Sequence, residues 1–139
     1  MNRLITERLA LLTIATILSL IVLFHLLILT GVMPFDIVWG GRLSSREQML
    51  RFETLSIALN LLMLAVVGAR AGIIGRNIPP RLITIALWIM AVLFGLNTVG
   101  NLLSQNALER MIFTPLTLIL SILCFRLATG KRVKAVDAG

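Results

Sequence analysis

LITIALWIMAVLFGLNTVGNLL, residues 82–103, carries no charged side chain along its whole length. A hydrocarbon core about 30 Å thick is crossed by about 20 helical residues, so the stretch reads as a transmembrane helix. Two of its residues do not suit lipid. Asn97 and Asn101 stand four apart, which places them on one face of a helix, one turn from each other. An amide exposed to acyl chains has nothing to bond, so this face must turn toward other helices.

The rest of the chain supplies those helices. Of 139 residues, 58% are hydrophobic and 14% charged, with a mean hydropathy of +1.00. Soluble domains are about 45–50% apolar. Apolar runs long enough to cross a bilayer occur at Leu9–Thr30, Phe52–Ala71, Leu82–Leu103 and Leu108–Leu127. The first is too long for a secretory signal, whose apolar region is about 7–15 residues, and it lacks a small-residue cleavage site. The predicted fold is all-α: a polytopic membrane protein of one domain, residues 1–139, with four transmembrane helices in an antiparallel up-down bundle. The expected helices cover about 9–30, 45–71, 81–104 and 107–127, with an outer interfacial loop at 31–44 and a flexible basic tail at 128–139.

Charge sets the expected orientation. Arg3, Arg8, Arg70, Arg76, Arg81, Arg126, Lys131, Arg132 and Lys134 fall at the termini and in the connection between the second and third helices. The other two connections carry Arg42, Arg46, Arg51 and Arg110 against Asp36, Glu47, Glu53 and Glu109, so the net charge of +7 lies wholly on the first side. Both termini are therefore expected in the cytoplasm, in a bacterial inner membrane. Short basic clusters beside membrane spans are explained by topology and anionic headgroups, and nucleic acid is excluded as a partner. The expected partners are the lipid bilayer and further copies of the chain, since four helices alone enclose little room.

Local punctuation agrees with these spans. In SSREQ, Ser44 with Glu47 and Ser45 with Gln48 both have capping-box spacing for the second helix. Gly72 and Gly75 end it, and Pro79-Pro80 suits the first turn of the third. Asn106 and Glu109 repeat the capping spacing before the fourth helix, inside which Pro115 predicts a kink.

Steps of three and four residues trace one polar stripe per helix: Arg46, Met49, Glu53, Ser56, Asn60 and Met63 on the second; Met90, Phe94, Asn97, Asn101 and Ser104 on the third; Thr114, Thr117, Ser121 and Cys124 on the fourth. The first helix offers His25. Under the predicted topology His25, Glu53, Asn97 and Asn101 share the outer half of the bundle, with Asn60 a little deeper. His25, Glu53, Asn60, Asn97 and Asn101 are the candidate ligand-binding residues, and His25 with Glu53 is the one titratable pair within reach inside the membrane. The asparagines also have a simpler reading, as hydrogen-bonding glue between helices.

The loop GVMPFDIVWGGRLSSREQMLR is too apolar for a solvated linker, with Phe35, Ile37, Val38 and Trp39 crowded together. It is expected to fold back over the bundle mouth as a lid or gate formed by Asp36, Trp39, Gly40, Gly41 and Arg42, the glycines permitting a tight reversal and Asp36 facing Arg42 across it. A plain interfacial plug is the alternative.

One cysteine and one histidine exclude a disulfide framework and the usual zinc sites, and no catalytic or nucleotide-binding motif is present, so no metal or cofactor is expected. PFDIVWGGRL, REQMLRFE, FGLNTVGNLLS and ERMIFTPLTL together resemble a group of small, uncharacterised four-helix bacterial membrane proteins; the resemblance spans nearly the whole chain and implies the fold but no activity. The leading functional expectation is a non-enzymatic membrane protein that binds or moves a small solute or ion. An accessory subunit whose polar seam only fixes helix packing is the alternative, and an intramembrane enzyme with His25 as base and Glu53 as its orienting partner is the third.

Overall fold

The structure is a computed structural model that describes residues 2–132; Lys134 and the rest of the basic tail beyond Arg132 lie outside the described residues. The described chain is helical without strands: α1 (Asn2–Leu29), α2 (Arg46–Arg70), α3 (Pro80–Leu102) and α4 (Thr114–Thr129), the last preceded by a π-helical turn at Glu109–Phe113. Four segments, Thr6–Leu29, Arg46–Arg70, Pro80–Leu102 and Glu109–Thr129, are long and apolar enough to cross a membrane. No more than 33% of the most apolar window of any of them is buried inside the protein. Leu12, Leu20, Leu62 and Leu96, all more than half exposed, are among the side chains that instead cover its outside. Such a surface is compatible with an integral membrane protein and fits an apolar solvent rather than water.

Helix ends follow the residues that set them. α1 starts near the beginning of the chain, ahead of the expected Leu9, because MNRLITER contains neither Pro nor Gly to stop it. Gly31, at φ +82°, closes its far end. Ser45 caps α2, its Oγ accepting the Gln48 N–H at 3.2 Å, while Gln48 Oε1 accepts from the Ser44 N–H at 3.1 Å. The second expected cap, Ser44 with Glu47, is not made; Glu47 pairs instead with Arg51 one turn on, at 2.5 Å. α2 ends in paired bonds, Ile73 N–H to Gly68 O at 2.9 Å and Gly72 N–H to Ala69 O at 3.1 Å, with Gly72 at φ +77°. Pro80 then opens α3.

The kink expected at Pro115 takes the form of the π turn. The Thr114 N–H reaches back five residues to Glu109 O, which widens the turn just where the proline ring would otherwise crowd the helix.

α1 packs mainly on α2 and α3 mainly on α4, whereas α2 and α3 touch each other sparingly. The main core combines Ile14, Leu18, Val67, Leu87, Met90, Leu120 and Cys124 from all four helices. A second cluster, Ile28, Val38, Leu43 and Met49, fastens the 31–45 loop to the end of α1 and the start of α2. The loop therefore does fold back on the bundle, through two 3₁₀ turns at Phe35–Ile37 and Trp39–Gly41.

Candidate functional site

The centre of the site is a carboxylate with no exposure to solvent. Glu53 lies two turns into α2 on the face shared with the buried Met49 and Ser56. Its Oε2 meets His25 Nδ1 at 2.5 Å, and its Oε1 accepts the Trp39 Nε1–H at 3.1 Å. Both oxygens are thus engaged by groups from two other elements, α1 and the loop. An ionised carboxylate can only accept, so with Glu53 ionised Nδ1 is the donor in this bond and Nε2 is left to the other side of the ring. The same second-sphere device orients metal-bound and catalytic histidines.

The loop presents Trp39 at a backbone cost. Its φ of +56° makes it the one non-glycine residue with positive φ among those described. Bulky side chains seldom adopt that region. The bond to Glu53 and an edge-on contact with Phe52, ring centres 4.9 Å apart, hold it there. Gly41 follows at φ +73°.

In front of this group lies a cavity of about 520 Å³, within the range of small-molecule sites. It sits where α2 and α3 part: Leu59, Asn60 and Met63 form one wall, Leu93, Asn97 and Gly100 the other. His25 and Trp39 close it on the α1 and loop side; Glu109, Phe113 and Thr117 close it on the α4 side. Glu109 is buried and accepts the Ser104 hydroxyl hydrogen, and Ser104 Oγ in turn accepts the Asn106 N–H at 3.0 Å. Asn106 Oδ1 takes the Leu108 N–H at 2.8 Å, two residues on.

The predicted residues divide as follows. His25, Asn60, Asn97 and Asn101 line the cavity, and Glu53 stands behind them, touching His25 and Trp39 rather than the open space. Asn60 gives its amide hydrogen to Ser56 O at 2.7 Å. Asn101 donates to Thr117 Oγ1 across the α3–α4 contact at 3.4 Å. Asn97 is exposed to the cavity and bonds no side chain or backbone group among the described residues. Trp39 and Arg42 also line the cavity, Gly40 lies within the Trp39–Gly41 turn, and Asp36 is exposed on the loop surface. The pairing of Asp36 with Arg42 is not made: the described ion pairs are His25–Glu53, Arg51–Glu47 and Arg70–Glu7. The Trp39–Gly41 turn directs Arg42 to the cavity instead.

Sequence reasoning passed over Glu109 and Ser104, which it read as capping and stripe residues, and Thr98. Thr98 is buried, and its hydroxyl lies 3.0 Å from that of Thr117. Ser121 ties the same two helices by donating to Ala91 O at 2.8 Å. The α3–α4 seam is therefore where polar side chains act as glue. The signal for Glu109 was its position, a carboxylate at the very border of an apolar run.

Among the described residues no three His, Cys, Asp or Glu side chains group as metal ligands. Compared with known protein families, with curated proteins and with solved structures, the chain matches none.

Proposed function

We propose that the protein is a multi-pass membrane protein of the bacterial inner membrane that binds or moves a small molecule in the cavity between α2 and α3. In this reading the four helices alternate in direction, both termini are cytoplasmic, and the loop carrying Trp39 faces the other side. The observation that carries it is Glu53: a fully buried carboxylate whose two oxygens fix a histidine and a tryptophan at the edge of a cavity. Ionisable groups within a membrane are costly, and a bundle that needed only packing could fill this volume with leucine. The polar α3–α4 seam supplies the glue that the accessory-subunit reading asks of the asparagines, while Asn97, which lines the cavity and has no partner among the described residues, is left for a ligand. The cavity is complete within one chain, so self-association would add further sites rather than finish one.

The test is thermal stability of the purified protein in detergent across ions, amines, quinones and neutral lipids. A ligand at a hundred times its dissociation constant stabilises by about 2.7 kcal/mol. At least one compound should raise the melting temperature of the wild type and not that of Asn97→Leu. A flat screen, repeated in lipid nanodiscs, would favour the accessory subunit.

A further inference from the structure

We infer that the ligand is a membrane-dissolved amphiphile with an uncharged, hydrogen-bonding head, which enters sideways between α2 and α3. This rests on the binding reading above and narrows it to a chemical class.

The cavity's two ends differ. Toward the middle of the bundle its surface comes from Ile21, Leu59, Met63, Leu93 and Phe94, which suits an alkyl or isoprenoid chain and offers nothing to a hydrated ion. Toward the loop it is lined by His25, Asn60, Asn97 and Asn101, a mixture of donors and acceptors. The charges at that end come with both signs, Arg42 and Glu109, and Glu53 has spent both oxygens on His25 and Trp39. Arg42 and Glu109 offset each other, so the mouth carries no one-signed patch to hold a charged head, and hydroxyl, carbonyl or amide heads suit it better than carboxylate, phosphate or ammonium heads.

The side opening follows from packing. α2 and α3 meet sparingly, and Leu59 and Leu93, which flank the cavity, are 43% and 39% exposed. In a bilayer these side chains face acyl chains, so the cavity and the hydrocarbon phase are continuous through the gap. Gly100 on the α3 wall keeps that gap wide: a Cβ built there meets nothing within 4 Å. A larger residue at position 100 is thus accommodated by the fold while filling the opening.

The experiment uses the full chain with Trp88→Phe, leaving Trp39 as the sole tryptophan, in phosphatidylcholine vesicles. Three probes share one mid-chain-brominated 18-carbon tail, since bromine quenches indole fluorescence on contact: a monoacylglycerol, a fatty acid held ionised at pH 9, and an alkyltrimethylammonium. The expected result is saturable Trp39 quenching by the monoacylglycerol at least fivefold beyond that of either charged probe, with the excess removed by Gly100→Leu. Circular dichroism and melting of Gly100→Leu should match the parent, which separates a blocked opening from a misfolded protein. Saturable quenching by a charged probe in preference to the neutral one, sensitive to Gly100→Leu, would overturn the uncharged head and leave the cavity as a binding site. Equal, non-saturating quenching by all three overturns lateral uptake. If that result is joined by a flat melting screen in nanodiscs, the binding reading itself fails; if a water-soluble compound still shifts the melt, only the amphiphile is wrong.

Discussion

The Trp39 indole N–H donates to Glu53 at 3.1 Å across a separation of 14 residues, and this bond holds the tryptophan in a left-handed backbone conformation. Residues in such regions cost about 1–3 kcal/mol each and persist where surrounding contacts over-determine them. Here those contacts are the carboxylate and the Phe52 ring. The position of the loop and that of the Glu53 side chain are therefore tied together.

Glu53→Ala should release both partners. Each buried donor left without an acceptor costs about 1–3 kcal/mol, so the detergent melting temperature should fall clearly. In a Trp88→Phe background, Trp39 emission should move to longer wavelength as the indole leaves its partner. An unchanged melt with unchanged emission would show that the loop is held by Val38 and Leu43 alone.

Two polar residues, Thr117 of α4 in the α3–α4 seam and Asn97 of α3 at the cavity, should behave oppositely. Thr117→Val removes the hydroxyl that meets both Thr98 and Asn101. Hydrogen bonds between membrane helices average about 0.6 and reach about 1.7 kcal/mol, so this variant should lose about 1–2 kcal/mol. Asn97→Leu, with no partner to lose among the described residues, should change stability by less than about 0.5 kcal/mol yet abolish any ligand-induced shift. Equal destabilisation by the two would assign Asn97 to packing.

How far the sequence could be read depended on whether a feature is local. Span lengths, the Ser45 cap and the stripe through Met49, Glu53 and Ser56 all follow from helical repeat and chain chemistry, and they place His25 and Glu53 at the same level. The direction of single side chains within the seam did not follow. Asn97 and Thr98 differ by about 100° around the helix; the asparagine drew attention as the more polar of the two, but Thr98 makes the helix contact. Thr98 can do so because its hydroxyl also bonds Phe94 O at 2.8 Å, which hides its polarity within its own helix. The π turn was legible only as a disturbance at Pro115. Arg70 was misleading for another reason: a basic residue at the end of a span is accounted for by orientation alone, and nothing within it announces a partner 63 residues away.

The orientation on which the proposed topology rests has its own test. Reporter fusions at Arg76 and after Lys134 should report cytoplasm, and a fusion at Ser44 the opposite side. A cytoplasmic Ser44 would turn the loop and cavity toward the cell interior and reverse the side from which a lid could open.

Arg70 and Glu7 make the last case, at the end of the bundle remote from the cavity. Arg70 Nε lies 3.0 Å from Glu7 Oε1, with the two side chains 4% and 15% exposed, and its Nη2 donates to Gly130 O at 3.2 Å. Arg132 adds a bond to Ala69 O at 3.3 Å. One guanidinium thus ties α1, α2 and the end of α4 together. Removing one member of a buried pair costs about 3–5 kcal/mol, whereas replacing both with apolar residues is often near neutral. Arg70→Met and Glu7→Leu should each lower the melting temperature, and the double variant should recover much of the loss, though not the part due to Gly130. Additive losses would mean that the two charges are solvated separately and that the α1–α2 contact is held by apolar packing. Ligand-induced stabilisation should survive in every one of these variants, because the pair lies at the other end of the helices from His25 and Glu53; its loss would show that the cavity depends on how that end is fastened.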